Sequence, residues 1–315
     1  MMYIARTAVV FSSEDSLLCR CNYTDGRWVP DRIGPLYNYT DYTTIKPRQN
    51  CLANGRPDTG YLRWRWQPSG CRLPLFSPED FLQLVTNKHL AFVSDSMARN
   101  QAESLLFLLA AAYTPEMVYR DGQDNKFRRW VFRLYLDVVD KKCKAKMPAI
   151  DVVVLSAGQW FLHPAVFFEG GGVVGCHHCP ELNHTEIVFF DMYRKEVRTA
   201  MMVAASVAVG NKYVVSATFS SLLFEGEWDE AGACERKKPY REGDKEMEYM
   251  DREMWKIMVE EVAAAAEKES GRDSDGGGVR IEAFIMTRMA MMRPDGHPGP
   301  YMNPNSFAGG PKERV

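Results

Sequence analysis

The sequence has 315 residues, of which 46% are hydrophobic and 25% charged, as expected of a soluble globular protein with a large core. Lysine and arginine total 39 against 41 acidic residues, so the formal net charge is −2. This balance excludes a strongly basic chain of the kind that binds nucleic acid or an acidic membrane surface.

The N-terminal region is rich in cysteine, aromatic and turn residues and has few periodic runs. Four of the eight cysteines lie in the first 71 residues, which predicts a loop-rich module held by disulfides in an oxidising compartment. The sequons at 22–24, 38–40 and 183–185 agree with a secreted protein. No apolar run is long enough for a transmembrane segment. The cysteines are Cys19, Cys21, Cys51, Cys71, Cys143, Cys176, Cys179 and Cys234.

From about residue 79, short apolar strands alternate with helices. The predicted strands are 89–93, 129–136, 151–155, 213–219 and 280–286, and the predicted helices are 97–112, 185–209 and 244–268. This order predicts an α/β fold with a mostly parallel sheet flanked by helices. Sites in such sheets lie beyond the carboxyl ends of the strands, so Ser96 and Gly158, which both follow strands, are expected at one rim.

The turn Ser94–Asp95–Ser96 lies between a predicted strand and a predicted helix. A serine there presents its hydroxyl at the end of a strand, and the helix N-terminus stabilises nearby negative charge. Serine and aspartate at this place are also ordinary helix N-caps that need no chemistry.

The motif AFVSDSMARNQ at 91–101 resembles the AFxGDSxxRNQ block of the plant trichome-birefringence-like family of polysaccharide O-acetyltransferases. Other blocks follow in the order of that family from residue 21 onward, and GCHHC at 175–179 resembles its xyloglucan-acetylating branch most closely. These blocks are CNYTDGRWVPD, QNCLANGRPDTGYLRWRW, CRLPLFSPEDFL, DVVVLSAGQWF, FEGEWDEAGAC and MRPDGHPGPY.

The resemblance implies a tail at 1–20, an irregular disulfide-containing module at 21–78 and a PC-esterase domain with an SGNH-hydrolase-like fold at 79–315. It implies transfer of an acetyl group onto a wall polysaccharide, xyloglucan above all, through an acyl-serine at Ser96. An acetyl donor is required, and no bound cofactor or metal is expected. Members of the family are anchored in the Golgi membrane, so we expect a Golgi-lumen or secretory location.

Acyl transfer by a serine requires donors for the oxyanion that develops. By resemblance and position, these are the amides of Ser96 and Gly158 and the side chain of Asn100, with Arg99 binding substrate. Gly158 can equally be a turn glycine. Asn100 and Arg99 can equally be ordinary polar residues on the exposed face of a helix.

The base of the predicted site departs from the family pattern. In the family it comes from a DCxHW segment after the RPDGHPGPY block, whereas this sequence continues as YMNPNSFAGGPKERV without an Asp-x-x-His. We therefore expect a domain truncated at its C-terminus, with Asp295 and His297 as fallback acid and base or as parts of a structural turn. His163 is a further candidate base. Ser94 and Gln159 depart from the glycine and histidine that are usual in the family.

Two other motifs have alternative interpretations. Trp64 and Trp66 can stack on sugar rings or pack in the core. The motif Cys176-x-x-Cys179 could bind zinc, but no second ligand pair lies nearby in sequence, so no metal site is predicted.

The sequence is therefore compatible with three functions. The first is the O-acetyltransferase. The second is a catalytically impaired remnant of the family that still binds glycan, and the third is a serine esterase that uses water as the acceptor.

Overall fold

In the computed structural model of the protein, strands and helices alternate along the described part of the chain. The structure describes residues 2–8, 22–36, 50–110, 112–113, 132–139, 141–180, 182–206, 212–220, 236–270 and 278–302. The strands are β1 Met2–Ala8, β2 Gly26–Pro30, β3 Trp64–Pro68, β4 Asn87–Ser94, β5 Phe132–Tyr135, β6 Val152–Ser156, β7 Ala165–Glu169, β8 Gly172–His177, β9 Lys212–Ala217 and β10 Val279–Phe284. The helices are α1 Pro78–Leu84, α2 Ser96–Ala110, α3 Lys141–Lys146, α4 Phe190–Ser206, α5 Tyr249–Ser270 and α6 Thr287–Met291.

The main sheet has the strand order β1-β4-β6-β9-β10, and its strands are parallel except for β1. The side chains of Ala91, Val153 and Val214 share one row and are fully buried in the core, which also contains α4 and α5. Helix α2 packs against β4 and β6. The predicted α/β architecture, a parallel sheet flanked by helices, is therefore confirmed.

Three predicted elements differ from the observed ones, and one of them is the helix predicted at 244–268, which begins only at Tyr249. The strand predicted at 129–136 is β5, described from Phe132, and it belongs to a second sheet of order β5-β7-β8 rather than to the main sheet. The helix predicted at 185–209 begins only at Phe190. Residues 185–187 extend along β8 instead, because the Cys176 amide donates to the Thr185 carbonyl and the Ile187 amide to the Cys176 carbonyl.

Strand β1 lies in the region where a tail was expected. Residues 2–8 pair antiparallel with β4 in the register Met2↔Val93 to Ala8↔Asn87. They therefore form the edge strand of the main sheet. The predictions on Cys19, Cys21 and Cys234 fall outside the described residues.

Helices α4 and α5 pack together through charged as well as apolar side chains. Glu261 is almost fully buried on α5 and accepts from Arg194 Nη1 at 3.0 Å and from Arg198 Nε at 2.8 Å. These bonds explain how a helix with several charges can lie against the core. None of the helices in the described ranges is long and apolar enough to cross a membrane.

The N-terminal module contains the antiparallel pair β2-β3 and a disulfide-bonded Cys71. It packs on the segment 289–301 near the other end of the chain. Trp28 Nε1 donates to the Met289 carbonyl at 3.0 Å, and Asn54 Nδ2 donates to the Tyr301 carbonyl at 2.9 Å. Trp66 lies between the two parts in a small core with Tyr240, Met291 and Met292.

An arginine–aspartate pair lies at the centre of this interface. Asp295 is fully buried and accepts from Arg293 Nε at 2.8 Å and Nη2 at 3.1 Å. Arg293 also donates to the Tyr61 carbonyl at 2.7 Å and lies 4.4 Å above the Trp28 ring. Arg56 of the module donates to the backbone carbonyl of Asp295 at 2.7 Å.

We expect Asp295→Asn to lower the free energy of unfolding by about 3 kcal/mol, because it leaves a largely buried guanidinium without its counter-charge. Urea unfolding of the full chain measures this loss. The matched control is Glu242→Gln, which removes an exposed partner of Arg288 and should cost less than about 1 kcal/mol. Equal effects of the two substitutions would contradict the role given to Asp295.

Candidate active site

The parallel strands of the main sheet end in register. Ser94 of β4 pairs with Ser156 of β6, which pairs with Ala217 of β9. The residues that follow these strands therefore lie along one edge of the sheet. Ser96 and Gly158 are both among them, as the sequence predicted for a common rim.

Ser96 is the first residue of α2 and is half-buried. Its hydroxyl has no hydrogen-bond partner within the described part of the chain. Its amide belongs to the first turn of the helix, whose N–H groups have no partner within the helix itself. The hydroxyl and an amide donor are therefore presented together at the positive end of a helix.

The carboxylate of Asp95 connects two of the loops at the rim. Asp95 is 5% exposed, and its Oδ1 accepts from the Met97 amide at 2.9 Å in the first turn of α2. Its Oδ2 accepts from the Gln159 amide at 3.1 Å in the loop after β6. Burial raises the pKa of Asp95, while these amide hydrogen bonds act in the opposite direction.

Gly158 adopts a backbone conformation that other residues rarely adopt, with φ of +144°. A Cβ at this position would lie 2.8 Å from Phe219 Cδ2 and 2.9 Å from Met254 Cε, which is too close. Its amide has no acceptor among the described residues. Gln159 fixes the loop further, since its Nε2 donates to the Ser220 carbonyl at 3.3 Å.

Asn100 and Arg99 lie on α2 one turn after Ser96. Asn100 is exposed, and its side chain has no hydrogen-bond partner among the described residues. Arg99 is half-buried, and its buried Nε has no acceptor in the same part of the structure. Positions four apart share a helix face, so Asn100 lies on the side of Ser96.

Two residues of α4 lie near the rim, and the sequence analysis did not single them out. The buried hydroxyl of Tyr193 donates to the Ala157 carbonyl at 3.2 Å, next to Gly158. Burial, together with the charge of Asp95, raises the pKa of Glu196 to about 7. No sequence signal distinguished either residue, because α4 carries several other polar and charged side chains.

Asp295 and His297, the fallback acid and base, have structural partners. Both oxygens of Asp295 accept from Arg293, and His297 Nδ1 accepts from the Gly299 amide at 3.1 Å. In a Ser-His-Asp triad, Nδ1 carries the proton and donates it to the carboxylate, so His297 has the opposite tautomer here. Burial, and then the charge of Arg56, lowers the pKa of His297.

The other candidate residues are distributed between core and surface. Trp66 is only 9% exposed and donates to the Tyr23 carbonyl at 2.7 Å, so it has the core role rather than that of a sugar-stacking surface. Trp64 is half-buried. His163 is exposed just after the loop that follows β6, with its ring 6.1 Å from that of Trp160.

A serine at the turn from a parallel strand to a helix, at the same rim as a glycine loop with an amide unbonded in the described part of the chain, is the arrangement that an acyl-transfer site requires. The model of the PC-Esterase family, described as a GDSL/SGNH-like acyl-esterase family found in Pmr5 and Cas1p, matches residues 73–135 and 131–314. The PMR5 N-terminal domain matches residues 19–72. The chain belongs to the PC-esterase family.

Similar proteins occur in two plants. Xyloglucan O-acetyltransferase 1 of Populus trichocarpa is 51% identical over 94% of this chain and 75% of its own length. The Arabidopsis thaliana protein of the same name is 45% identical over 94% of this chain and 74% of its own length. Protein trichome birefringence-like 25 of Arabidopsis thaliana is 37% identical over 92% of this chain and 70% of its length.

We expect Gly158→Ala to lower the free energy of unfolding by about 2–4 kcal/mol, because it adds backbone strain and a clash with Phe219 and Met254. Gly243→Ala is the matched control. Gly243 also has a positive φ, of +86°, but nothing lies within 4 Å of an added Cβ, so only backbone strain of about 1 kcal/mol is expected. Thermal or urea unfolding measures the loss of stability in each variant. Equal losses would show that the predicted clash with Phe219 and Met254 does not contribute.

A second prediction concerns pH. The pKa of Glu196 is about 7 in the folded chain against an ordinary value of 4.5, so the unfolded chain loses this proton first. The ionisation of Glu196 therefore lowers stability progressively as pH rises from about 4.5 to above 7. We expect Glu196→Gln to be more stable than the natural chain by about 1–2 kcal/mol above pH 7.5, with the difference vanishing below pH 4.5.

Unfolding midpoints measured across this pH range provide the check. The control is Glu246→Gln, which changes an exposed carboxylate and should give no pH-dependent difference. A difference for Glu196→Gln that stayed constant with pH would rule out the titration as its cause.

Proposed function

We propose that this chain is a polysaccharide O-acetyltransferase that moves an acetyl group from a donor onto xyloglucan through an acyl-serine at Ser96. The observation that carries the proposal is the position of Ser96, at the N-terminus of α2 and at the same rim as the Gly158 loop. Two proteins named xyloglucan O-acetyltransferase 1 support the acceptor, with 51% and 45% identity to this chain.

The proposed reaction has two acyl transfers. Ser96 Oγ attacks the carbonyl carbon of the acetyl donor, while a base takes the hydroxyl proton and passes it to the donor group, which leaves. A sugar hydroxyl then attacks the carbonyl carbon of the acetyl-serine and gives its proton to the same base. The base passes this proton to the departing Ser96 oxygen, which regenerates the Ser96 hydroxyl and yields the acetylated glycan. His163 is the candidate base for both proton transfers, and His297 could serve only if its Nδ1 released the Gly299 amide.

Each step forms a tetrahedral oxyanion that must be stabilised. We assign its donors to the amides of Ser96 and Gly158 and the side chain of Asn100. The amide of Gly158 and the side chain of Asn100 support this assignment, because neither is bonded to another described residue. The bond from Gln159 to Asp95 holds the Gly158 loop in place, so the donors are in position before the substrate arrives.

We propose that Arg99 and Trp64 bind substrate. The unpartnered Nε of Arg99 requires an acceptor, and a hydroxyl or an ester oxygen of the substrate can supply it. Trp64 is half-buried in β3, where an aromatic face can lie against the apolar face of a pyranose ring.

We also propose a Golgi or secretory location. Two features of the described chain support it: the disulfide between Cys176 and Cys179 and the disulfide-bonded Cys71. Disulfides persist in oxidising compartments and are rare in the cytosol. The exposed Asn183, in the sequon at 183–185, agrees with this location.

We expect Ser96→Ala to lower acetyl transfer by about 10³-fold or more, because the acyl-enzyme can no longer form. The assay supplies a chromogenic acetyl ester as donor and xyloglucan oligosaccharides as acceptor, and mass spectrometry detects the acetylated product. Ser104→Ala, at an exposed serine two turns further along α2, is the matched control and should retain activity.

The outcomes separate the candidate functions. Equal product from the Ser96→Ala variant would overturn the acyl-serine mechanism. If the natural chain and the Ser96→Ala variant both bind glycan but transfer no acetyl group, the glycan-binding remnant is favoured. If acetate is released whether or not the oligosaccharide is present, the esterase is favoured. His163→Ala and His297→Ala then identify the base by which of them loses turnover.

A further inference from the structure

The second sheet brings a carboxylate to the Cys-His-His-Cys turn, seven residues beyond its last cysteine. Residues 185–187 pair with the end of β8 in an isolated bridge between Cys176 and Glu186. The Glu186 carboxylate points back over the turn, where Oε1 accepts from the His178 amide at 2.7 Å and Oε2 from the Cys179 amide at 3.2 Å. The disulfide between Cys176 and Cys179 closes the same turn.

Two imidazoles lie beside this carboxylate. Possible ligand atoms of His177, His178 and Glu186 are all within 4.8 Å of one another, and the two ring centroids are 3.9 Å apart. His177 Nδ1 lies 3.4 Å from Glu186 Oε1. His178 has a φ of +51°, in the left-handed region that residues other than glycine rarely adopt.

The cysteine sulfurs form the alternative ligand set with Glu186, but both are bonded to each other and buried. A disulfide sulfur is a weak ligand compared with a thiolate. The nitrogen and oxygen atoms therefore remain as the ligand set of the oxidised chain. Imidazole and carboxylate ligands suit zinc, copper and nickel, and three protein ligands leave open positions for water.

We propose that His177, His178 and Glu186 bind one divalent transition-metal ion of the zinc class. The site belongs to the turn after β8 and uses no residue of the Ser96 rim. The ion would fix the His177 ring, which packs edge-on against Phe189 at a centroid distance of 5.1 Å. Phe189 in turn packs against Phe161 in the loop after β6, at 6.0 Å.

The test is calorimetric titration of the full, oxidised chain with Zn²⁺. We expect one ion per chain, and a loss of affinity of about 10-fold or more in each of His177→Ala and His178→Ala. His184→Ala is the matched control, since His184 is exposed in the same loop but outside the cluster, and it should bind like the natural chain. Zn²⁺ should also raise the unfolding temperature of the natural chain and of His184→Ala, but not of His177→Ala.

Three results would overturn the proposal: no binding at millimolar Zn²⁺, unchanged binding in both histidine variants, or binding that appears only after the disulfide is reduced by a thiol. The last result would identify a thiolate site instead. The Ser96→Ala variant should bind Zn²⁺ unchanged, so the outcome is independent of the proposed acetyl transfer.

Discussion

The position of the candidate nucleophile depends on one buried carboxylate. Asp95 accepts the Met97 amide on one side and the Gln159 amide on the other, so the turn before α2 and the loop after β6 are joined through a single side chain. Neither loop has the ladder hydrogen bonds that hold the strands. This carboxylate acts together with the Asp95 amide, which donates to the Ser156 carbonyl at 3.4 Å, to set the separation of Ser96 and Gly158 at the rim.

The same rim is supported from beneath by buried side chains. Phe219 and Met254 fill the space where Gly158 would carry a Cβ, and Tyr193 bonds the carbonyl of Ala157. The loop is thus shaped by packing and by hydrogen bonds together. An active site of this kind must hold its donors in place before the substrate binds, because reorganisation during the reaction would reduce their effect.

Much of the fold could be predicted from the sequence, because β4, β6 and β9 are short apolar runs typical of a buried parallel sheet. Strand β10 instead alternates apolar and charged residues. The common rim of Ser96 and Gly158 followed from the same reasoning, since parallel strands place their carboxyl ends together. The hairpin of β7 and β8 was missed, although Gly170 and Gly171 between two apolar runs were an available turn signal.

Other features depend on contacts that the sequence does not reveal. The apolar residues before Phe190 suggested an earlier start of α4, and only their pairing with β8 assigns them to an extended segment. Trp66 was compatible with a sugar surface until its packing on Met291 and Met292 placed it in the core. Arg293 and Asp295 are two residues apart, yet their partner is a module more than two hundred residues away in sequence.

This separation in sequence affects how the chain folds. Trp28 and Met289, which share a hydrogen bond, are separated by 261 positions, so the module is synthesised well before its packing partner. Closing so long a loop is slow, and the apolar face around Trp66 is uncovered until it happens. The module therefore depends on residues 289–301, which are synthesised much later, to cover its apolar face.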